Sequence, residues 1–415
     1  MIDLEYVKNN LDAYQKNLEN RQIKAGVIGL ERMLLLHGEK KELAKAIQEL
    51  LRKRNLLSGR VEEREAALAL KETLQIKESR FREVDTLLEE GLLLLPNMAS
   101  PEVPLGESEG GNVVVREVGG KPSLAHPKEY LVLTPSLIKM EEAAKVAGAR
   151  FAYILGDLAL LEFALIQLAF AKVMPHGFIP IVPPVMVKPE VMKKMGKAKF
   201  VNDNDAFKIA DDDLYLVGSA EHSIGPLHMD SMFLACELPR RYVGFSTSFR
   251  REAGSYGKDT KGILRVHQFD KVELFSFVKP SESQAEHEFL LARQEELMQS
   301  LLLPYRVMHI CTGGMGFGDY NQYDIETWLP GQGKYRETHS CSNTSDFQAR
   351  GIRTKWRNPE TGKGEFVHTL NATGFAIGRM VIAILENYQQ EDGSVLIPKA
   401  LQGYMGKEKI DLSCA

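Results

Sequence analysis

The chain has 415 residues, of which 44% are hydrophobic and 26% charged, with a formal net charge of -4. That is room for two or three domains with a large buried core, it excludes a small stapled scaffold, and it leaves nucleic-acid binding to local patches rather than to the total charge. Four cysteines, Cys236, Cys311, Cys341 and Cys414, stand far apart with no CxxC pair and no histidine at zinc-finger spacing, which argues against a disulfide framework or structural zinc and points to the reducing cytoplasm.

The opening residues MIDLEYVKNN are acidic and polar where an export signal needs an apolar core, so no export is expected. Residues 1 to about 28 are expected to form a short amphipathic helical start. From Glu31 the pattern turns heptad-like: Leu36, Leu43, Leu50 and Leu57 recur every seven residues, with Met33, Ile47 and Val61 filling most of the alternate seam. A second run carries Leu74, Phe81, Leu88 and Leu95, with Leu70 and Val84 beside them. With a turn near residues 62 to 71, the two runs predict an antiparallel helical hairpin, an arm of about 45 Å at roughly 1.5 Å per residue. Arg52, Lys53, Arg54 and Arg60 cluster without an acid between Leu50 and Val61, and Lys71, Lys77, Arg80 and Arg82 follow on the return run. Such a stripe suits either a phosphate backbone or a solvated coiled-coil flank.

Pro96, Pro101 and Pro104 and the run from Gly106 to Gly111 cannot continue a helix and place the boundary between arm and body, with domains expected at 1–105 and 106–415. In the body, helices are expected near 134–148 and 156–174. The longest apolar run, Leu158 to Ala171, contains Glu162 and Gln167 and is read as a buried helix too short for a bilayer, so no membrane is expected. GFIPIVPPVMV predicts a strand from Gly177 whose prolines Pro183 and Pro184 mark a sheet edge or an interface. Strands and loops dominate from Tyr215 to Phe277. A helix over Glu282–Leu302, strands to Ile325, a helix over Gly378–Tyr388 and a strand at Val395–Ile397 follow. With no regular crossover helices, the fold class is α+β, a mainly antiparallel sheet flanked by helices.

The stretch FRREAGSYGKDTKGILRVHQF, Phe249 to Phe269, carries the strongest chemical signal. If it is a strand, Arg250 and Glu252 share one face, where Arg suits phosphate oxygens, Glu an exocyclic amine, and Phe269 a stacked base; surface ion pairs on a hairpin are the alternative. Ser219, Ala220 and Glu221 place a hydroxyl and a carboxylate two residues apart, suited to an ammonium group. Glu273 falls on the same strand face as Phe269. ETHSCSN, Glu337 to Asn343, is rich in hard oxygen ligands and is a candidate magnesium site. Thr373 precedes a helix whose Arg379 can reach phosphates. GGMGFG at Gly313 to Gly318 lacks the strand-to-helix crossover of a dinucleotide loop and is read as a strand-end turn. The ten histidines form no paired-ligand spacing.

Together these groups resemble the seryl-tRNA synthetases, class II aminoacyl-tRNA synthetases of the bacterial type, over nearly the whole chain. GFIPIVPP is similar to the first class motif, with Pro184 at the dimer interface, FRREAGSYGKDTKGILRVHQF to the second, and NATGFAIGR with VIAILENYQ to the third. RETHSCSNTSDFQAR and LPNMASPEVPLGESEGGNVVVREVG are also similar to family stretches. The resemblance implies a class II antiparallel sheet, a homodimer, a cytoplasmic location, and an arm that grips tRNA(Ser) through Arg52, Lys53, Arg54 and Arg60. It further implies ATP as substrate, Mg2+, and activation of L-serine. Catalysis would fall to Arg250 and Arg379; ATP to Arg250, Arg251, Glu252, Arg265, Phe269, Glu337, Thr338, His339, Ser340 and Arg379; the metal to Glu337 and Ser340; and serine to Ser219, Ala220, Glu221, Arg250, Glu273 and Thr373. Relatives that load a carrier protein, or a non-catalytic coiled-coil protein, are the alternatives. The chain departs from the family at Ser219, usually Thr, at Ala372, usually Gly, and at Thr338 to Ser340, usually Val-Ser-Ser, which puts His339 beside the metal site. Its arm is also shorter than is usual.

Overall fold

The computed structural model describes residues 1–24, 29–57, 64–253 and 261–412. Arg60, Val61, the start of the expected turn at 62–63, most of the loop after Ala253, and Cys414 lie outside them. The chain divides into two compact units, Met1–Met98 and Ala99–Ala415.

In the first unit, helices α1 (Leu4–Asn9) and α2 (Leu11–Asn20) precede the long helices α3 (Leu30–Leu57) and α4 (Arg64–Leu92). Asp3 caps α1 by accepting the Glu5 and Tyr6 amides. Heptad residues described within the two helices form the hairpin seam: Met33, Leu74, Val84 and Leu88 are buried, while Leu43, Ile47 and Leu50 are half-buried, as a two-helix seam with one open side dictates. Arg80 reaches across to Glu39 with Nε at 2.6 Å, and Lys40 pairs with Asp85, fixing the register. α4 stops at Leu92, so Leu95, buried, belongs to the exit segment rather than the helix. There Tyr14 Oη donates to the Pro96 carbonyl at 2.9 Å and Asn17 Nδ2 to that of Asn97 at 3.2 Å, so the short helices hold the root of the hairpin.

The second unit is built on eight strands: β1 (Val113–Val118), β2 (Phe178–Ile181), β3 (Arg240–Phe249), β4 (Gln268–Val278), β5 (Tyr305–His309), β6 (Asn321–Leu329), β7 (Lys334–Asn343) and β8 (His368–Ala376). Their order is β1-β5-β6-β7-β8-β4-β3-β2, antiparallel throughout except that edge strand β2 runs parallel to β3. Pro180 sits in that edge strand, and Pro183 and Pro184 follow it. Helices α5 (Asp157–Val173), α6 (Ser283–Ser300) and α7 (Ile377–Asn387) pack over one face of the sheet through Leu161, Leu165, Leu290, Leu297, Met380 and Ile384. Alternation along β4 then decides where chemistry can go. Val272 and Leu274 enter this helical core, while Lys271 and Glu273 point to the other face, which the long helices leave open.

With a 3₁₀ turn to His176, α5 spans 20 residues and is long and apolar enough to cross a bilayer, contrary to the shorter run read from the sequence. Its buried face, Leu158, Leu161, Leu165 and Leu168, is spent on the core. Helix α6 is tied to the site-bearing strands by Glu286, which accepts from Arg241 Nε of β3 at 2.7 Å and Ser276 Oγ of β4 at 2.7 Å. Glu286→Ala strands a mostly buried guanidinium and is expected to cost about 3 kcal/mol, measured from urea unfolding. A loss below about 1 kcal/mol would mean that solvent replaces the pair.

Candidate active site

β3 ends at Phe249, so Arg250 and Glu252 are not strand neighbours. Past the strand, the Arg250 amide donates to His267 O at 2.9 Å and the Arg251 amide to Asp205 O at 2.7 Å. Glu252 then takes a left-handed backbone, φ 54°, a conformation that costs a non-glycine residue about 1 kcal/mol. Arg265 NH1 meets Glu252 Oε2 at 2.7 Å and pins this turn. It is the turn, not a shared strand face, that brings Arg250 and Glu252 to one cavity. Arg251 is directed elsewhere, with its guanidinium 5.5 Å over Phe207.

The cavity is lined by Arg250, Glu252, Arg265, Phe269, Lys271, Glu337, Thr338, Ser340, Thr373 and Arg379. It shares Arg265, Glu337, Ser340 and Arg379 with a larger polar cavity of about 850 Å³ that runs along β5 to β7 past Arg306, Asp324 and Glu326. Arg250 Nε donates to Gly218 O at 3.1 Å, and its guanidinium stands 5.3 Å from the Phe269 ring centroid. Arg379, in the first turn of α7, donates from NH1 to Glu337 O at 2.9 Å and Glu337 Oε1 at 3.2 Å. Two cationic forks and one aromatic ring thus face a single polar space.

Two bulges set which side chains reach it. Three residues apart on a regular strand, Glu337 and Ser340 would face opposite ways. Here β7 carries an extra residue, Thr338, so that Glu337 pairs with Glu326 and Ser340 with Asp324; since Asp324 and Glu326 are two apart on β6, all four face the cavity. On β8 the register skips Gly374, which sets Thr373 opposite Glu273 and Ala376 opposite Lys271. A Cβ at Gly374 would come 3.0 Å from Val272 Cγ1, so a side chain in the bulge would crowd the facing strand.

Behind the cavity lies a buried polar floor. Ser219 Oγ donates to Glu273 Oε2 at 2.8 Å, and Lys271 Nζ lies 2.5 Å from the same oxygen. Burial pushes the Glu273 carboxyl up, against the pull of Lys271. Glu221 Oε1 receives Gln348 Nε2 at 2.6 Å and pairs with Lys197 Nζ at 2.9 Å. Burial would raise Glu221, but Lys197 overrides it and draws the carboxyl down to about 2. The 221–224 helical turn lies close against the sheet because Gly244, across from Glu273, has no side chain: a Cβ there would stand 2.6 Å from Ile224 Cδ1.

Among the described residues no group of three or more His, Cys, Asp or Glu is arranged to hold a metal. Glu337 and Ser340, with Asp324 opposite, present hard oxygens of the kind magnesium takes when phosphates complete its shell, while Glu326 is held by Arg306 at 2.6 Å. Burial and the nearby Glu337 charge push the Asp324 carboxyl well up, a crowding of acids that a divalent cation offsets.

Some sequence-selected residues do not reach the cavity. His339 pairs with core residue Ile325 and packs 5.8 Å from the Phe375 ring, and burial draws its imidazole down to about 3. It is a neutral core histidine on the other side of the sheet from Glu337 and Ser340. Thr338 touches the cavity wall, but its hydroxyl is bonded to Thr327 Oγ1 at 2.8 Å. Ala220 packs with Ile224 and Phe275. Ala372 is an ordinary strand residue paired with Leu274, so its usual glycine is not needed for backbone freedom. Arg52, Lys53 and Arg54 are exposed near the end of α3. Sequence reading missed Lys271, Lys197, Gln348, Asp324 and Glu326. Only the last two left a signal, the alternation of Gln322, Asp324 and Glu326 along one strand.

An antiparallel sheet with helices on one face, and arginines, acids and a phenylalanine converging on the other, defines the catalytic core of a class II aminoacyl-tRNA synthetase. Residues 206–388 match the family model of the tRNA synthetase class II core domain (G, H, P, S and T), and residues 1–99 that of the seryl-tRNA synthetase N-terminal domain. The chain is 40% identical to the serine–tRNA ligase of Exiguobacterium sibiricum over 98% of both chains, and 41% identical to that of Syntrophobacter fumaroxidans over 99% of this chain and 100% of that one. Among solved structures it is similar to seryl-tRNA synthetase from Pyrococcus horikoshii complexed with ATP, at TM-score 0.90 and 36% identity over 99% of both chains. It is also similar to the cytoplasmic serine–tRNA ligase of Naegleria fowleri in complex with AMP, at TM-score 0.86 and 28% identity over 99% of both chains. The chain belongs to the seryl-tRNA synthetase family.

Proposed function

We infer that the chain activates L-serine with ATP to seryl-adenylate and transfers the seryl group to the 3′-terminal ribose of tRNA(Ser). The observation that carries this is the convergence of Arg250, Glu252, Arg265, Phe269, Glu337, Ser340, Thr373 and Arg379 on one cavity, in a chain alignable from end to end with serine–tRNA ligases. The serine carboxylate is already a nucleophile and needs no general base; it attacks the α-phosphorus, and the enzyme's task is to position reactants and neutralise charge. Arg250 holds the α-phosphate and the serine carboxylate. Phe269 stacks on adenine, Glu252 accepts from its exocyclic amine, and Arg265 orients Glu252. Arg379 holds the γ-phosphate. Glu337 and Ser340 hold Mg2+, which, when bound with ATP, neutralises charge on its phosphates. Ser219 and Glu221 take the serine ammonium, and Glu273 and Thr373 its hydroxyl. Alanine in this site leaves those buried groups unpaired and is strongly rejected.

The N-terminal unit, with the arm inside 1–105, is the tRNA-gripping part, and 106–415 the catalytic part. The working form is a homodimer. On α5 and the strand after it, Leu160, Phe163, Met174, Ile179 and Val182 are exposed, an apolar stripe at helical spacing continued on the edge strand, which a second copy covers. A cytoplasmic location suits the free thiols of Cys236, Cys311 and Cys341.

The test is pyrophosphate exchange into ATP across a panel of amino acids. Serine is expected to support exchange at least about a thousandfold better than alanine, because the hydroxyl subsite is polar and buried. Exchange with another amino acid alone would overturn the serine assignment.

A further inference from the structure

Resting on the serine reading above, we propose that Lys271 is a positioning residue for hydroxyl recognition. Its ammonium, together with the Ser219 hydroxyl, fixes one oxygen of Glu273 so that the other is presented to the substrate. The two oxygens of Glu273 are unequally engaged. Oε2 receives Lys271 Nζ at 2.5 Å and Ser219 Oγ at 2.8 Å, and Lys271 Nζ closes the triangle to Ser219 Oγ at 3.4 Å. Oε1 has a single long contact, Asn371 Nδ2 at 3.4 Å. Lys271 and Glu273 are two apart on β4 and so share a face, and Thr373, the other hydroxyl-binding group, is the strand partner of Glu273. Lys271 lines the cavity, yet its charged end is turned onto the carboxylate.

The lysine also sets the charge of this subsite. The Glu273 side chain is fully buried and that of Lys271 is 9% exposed. An isolated carboxylate in such a place takes up a proton. The other ionisable groups around it are otherwise engaged or neutral: Glu221 is an acid that holds Lys197 at 2.9 Å, Arg250 is turned to Gly218 O and the Phe269 ring, Cys341 of β7 is a buried thiol pushed up by burial, and burial draws the imidazole of His222 down to about 3, leaving it neutral. Asn371 and Thr373 come from β8, and Gly244 of β3 presents no side chain. Lys271 is therefore the cation that opposes protonation of Glu273. The same device recurs at Glu221, where Lys197 and Gln348 occupy Oε1.

Lys271→Met, measured by pyrophosphate exchange on the full chain, is expected to raise KM for serine about tenfold or more while KM for ATP stays near wild type. The acid limb of kcat/KM for serine should move to higher pH by about one unit or more, because a carboxyl that has lost its cation protonates earlier. Lys271→Arg, which keeps the charge, should return the limb toward wild type, and this also controls for a Met variant that folds poorly. An unshifted limb in Lys271→Met, or equal losses for serine and ATP, overturns the proposal. Wild-type exchange is the separate control: if serine supports none, the serine reading itself fails, whereas normal wild-type exchange with an unaltered variant condemns only the role of Lys271.

Discussion

Arg250→Ala is expected to lower serine-dependent pyrophosphate exchange by about a thousandfold or more, the loss typical of removing a preorganised donor from developing charge. The structure explains why the effect should be chemical and not a matter of folding. The side chain spends one hydrogen bond on Gly218 O at 3.1 Å and stands over Phe269, and the rest of its fork faces the cavity. Losing that bond should cost about 1 kcal/mol of stability at most. Arg250→Lys keeps the charge but replaces a planar fork with a point donor, so it should recover only part of the rate. The measurement is exchange at saturating ATP and serine, with thermal unfolding alongside. A variant that keeps more than a tenth of the wild-type rate would remove Arg250 from the α-phosphate.

Arg250 and Glu252 line one cavity, but not by sharing a strand face. Period-2 reasoning put Arg250 and Glu252 on a strand, yet the strand stops one residue short, and a left-handed Glu252 held by Arg265 does the aiming. Nothing local announces such a turn, because it depends on contacts with His267 and Asp205. Helices were legible since their apolar period is intrinsic: α5, α6 and α7 fall within two residues of expectation. Sheet order was not, for β8 sits between β7 and β4 through pairings far apart in sequence. The bulges at Thr338 and Gly374 decided more than any motif. The first turns Glu337 and Ser340 to one face and sends His339 into the core, which no reading of ETHSCSN by itself separates. Lys271 and Lys197 escaped notice because a lone lysine in a strand or turn carries no pattern; only the neighbouring carboxylate gives it meaning.

Shortening the arm should divide the two half-reactions. Replacing residues 44–77 with a short Gly-rich turn keeps the root of the hairpin, namely Met33, Val84 and Leu88, the Arg80–Glu39 and Lys40–Asp85 pairs, and the Glu5 contacts to His37 and Lys41. It removes the exposed Arg52, Lys53 and Arg54 and the far half of α3. Pyrophosphate exchange needs only the cavity, whose lining comes wholly from Ala99–Ala415, and should stay within about twofold of wild type. Charging of tRNA(Ser) should fall by about a hundredfold or more, because each basic side chain lost forfeits one phosphate contact and the counterion it releases. The full-length chain should show that origin directly: its KM for tRNA should climb steeply with salt, and the log–log slope should drop by about one for each phosphate contact removed by Arg52→Ala, Lys53→Ala or Arg54→Ala. If the shortened chain charged tRNA at the wild-type rate, the basic stripe would be an ordinary solvated flank and tRNA would be gripped elsewhere.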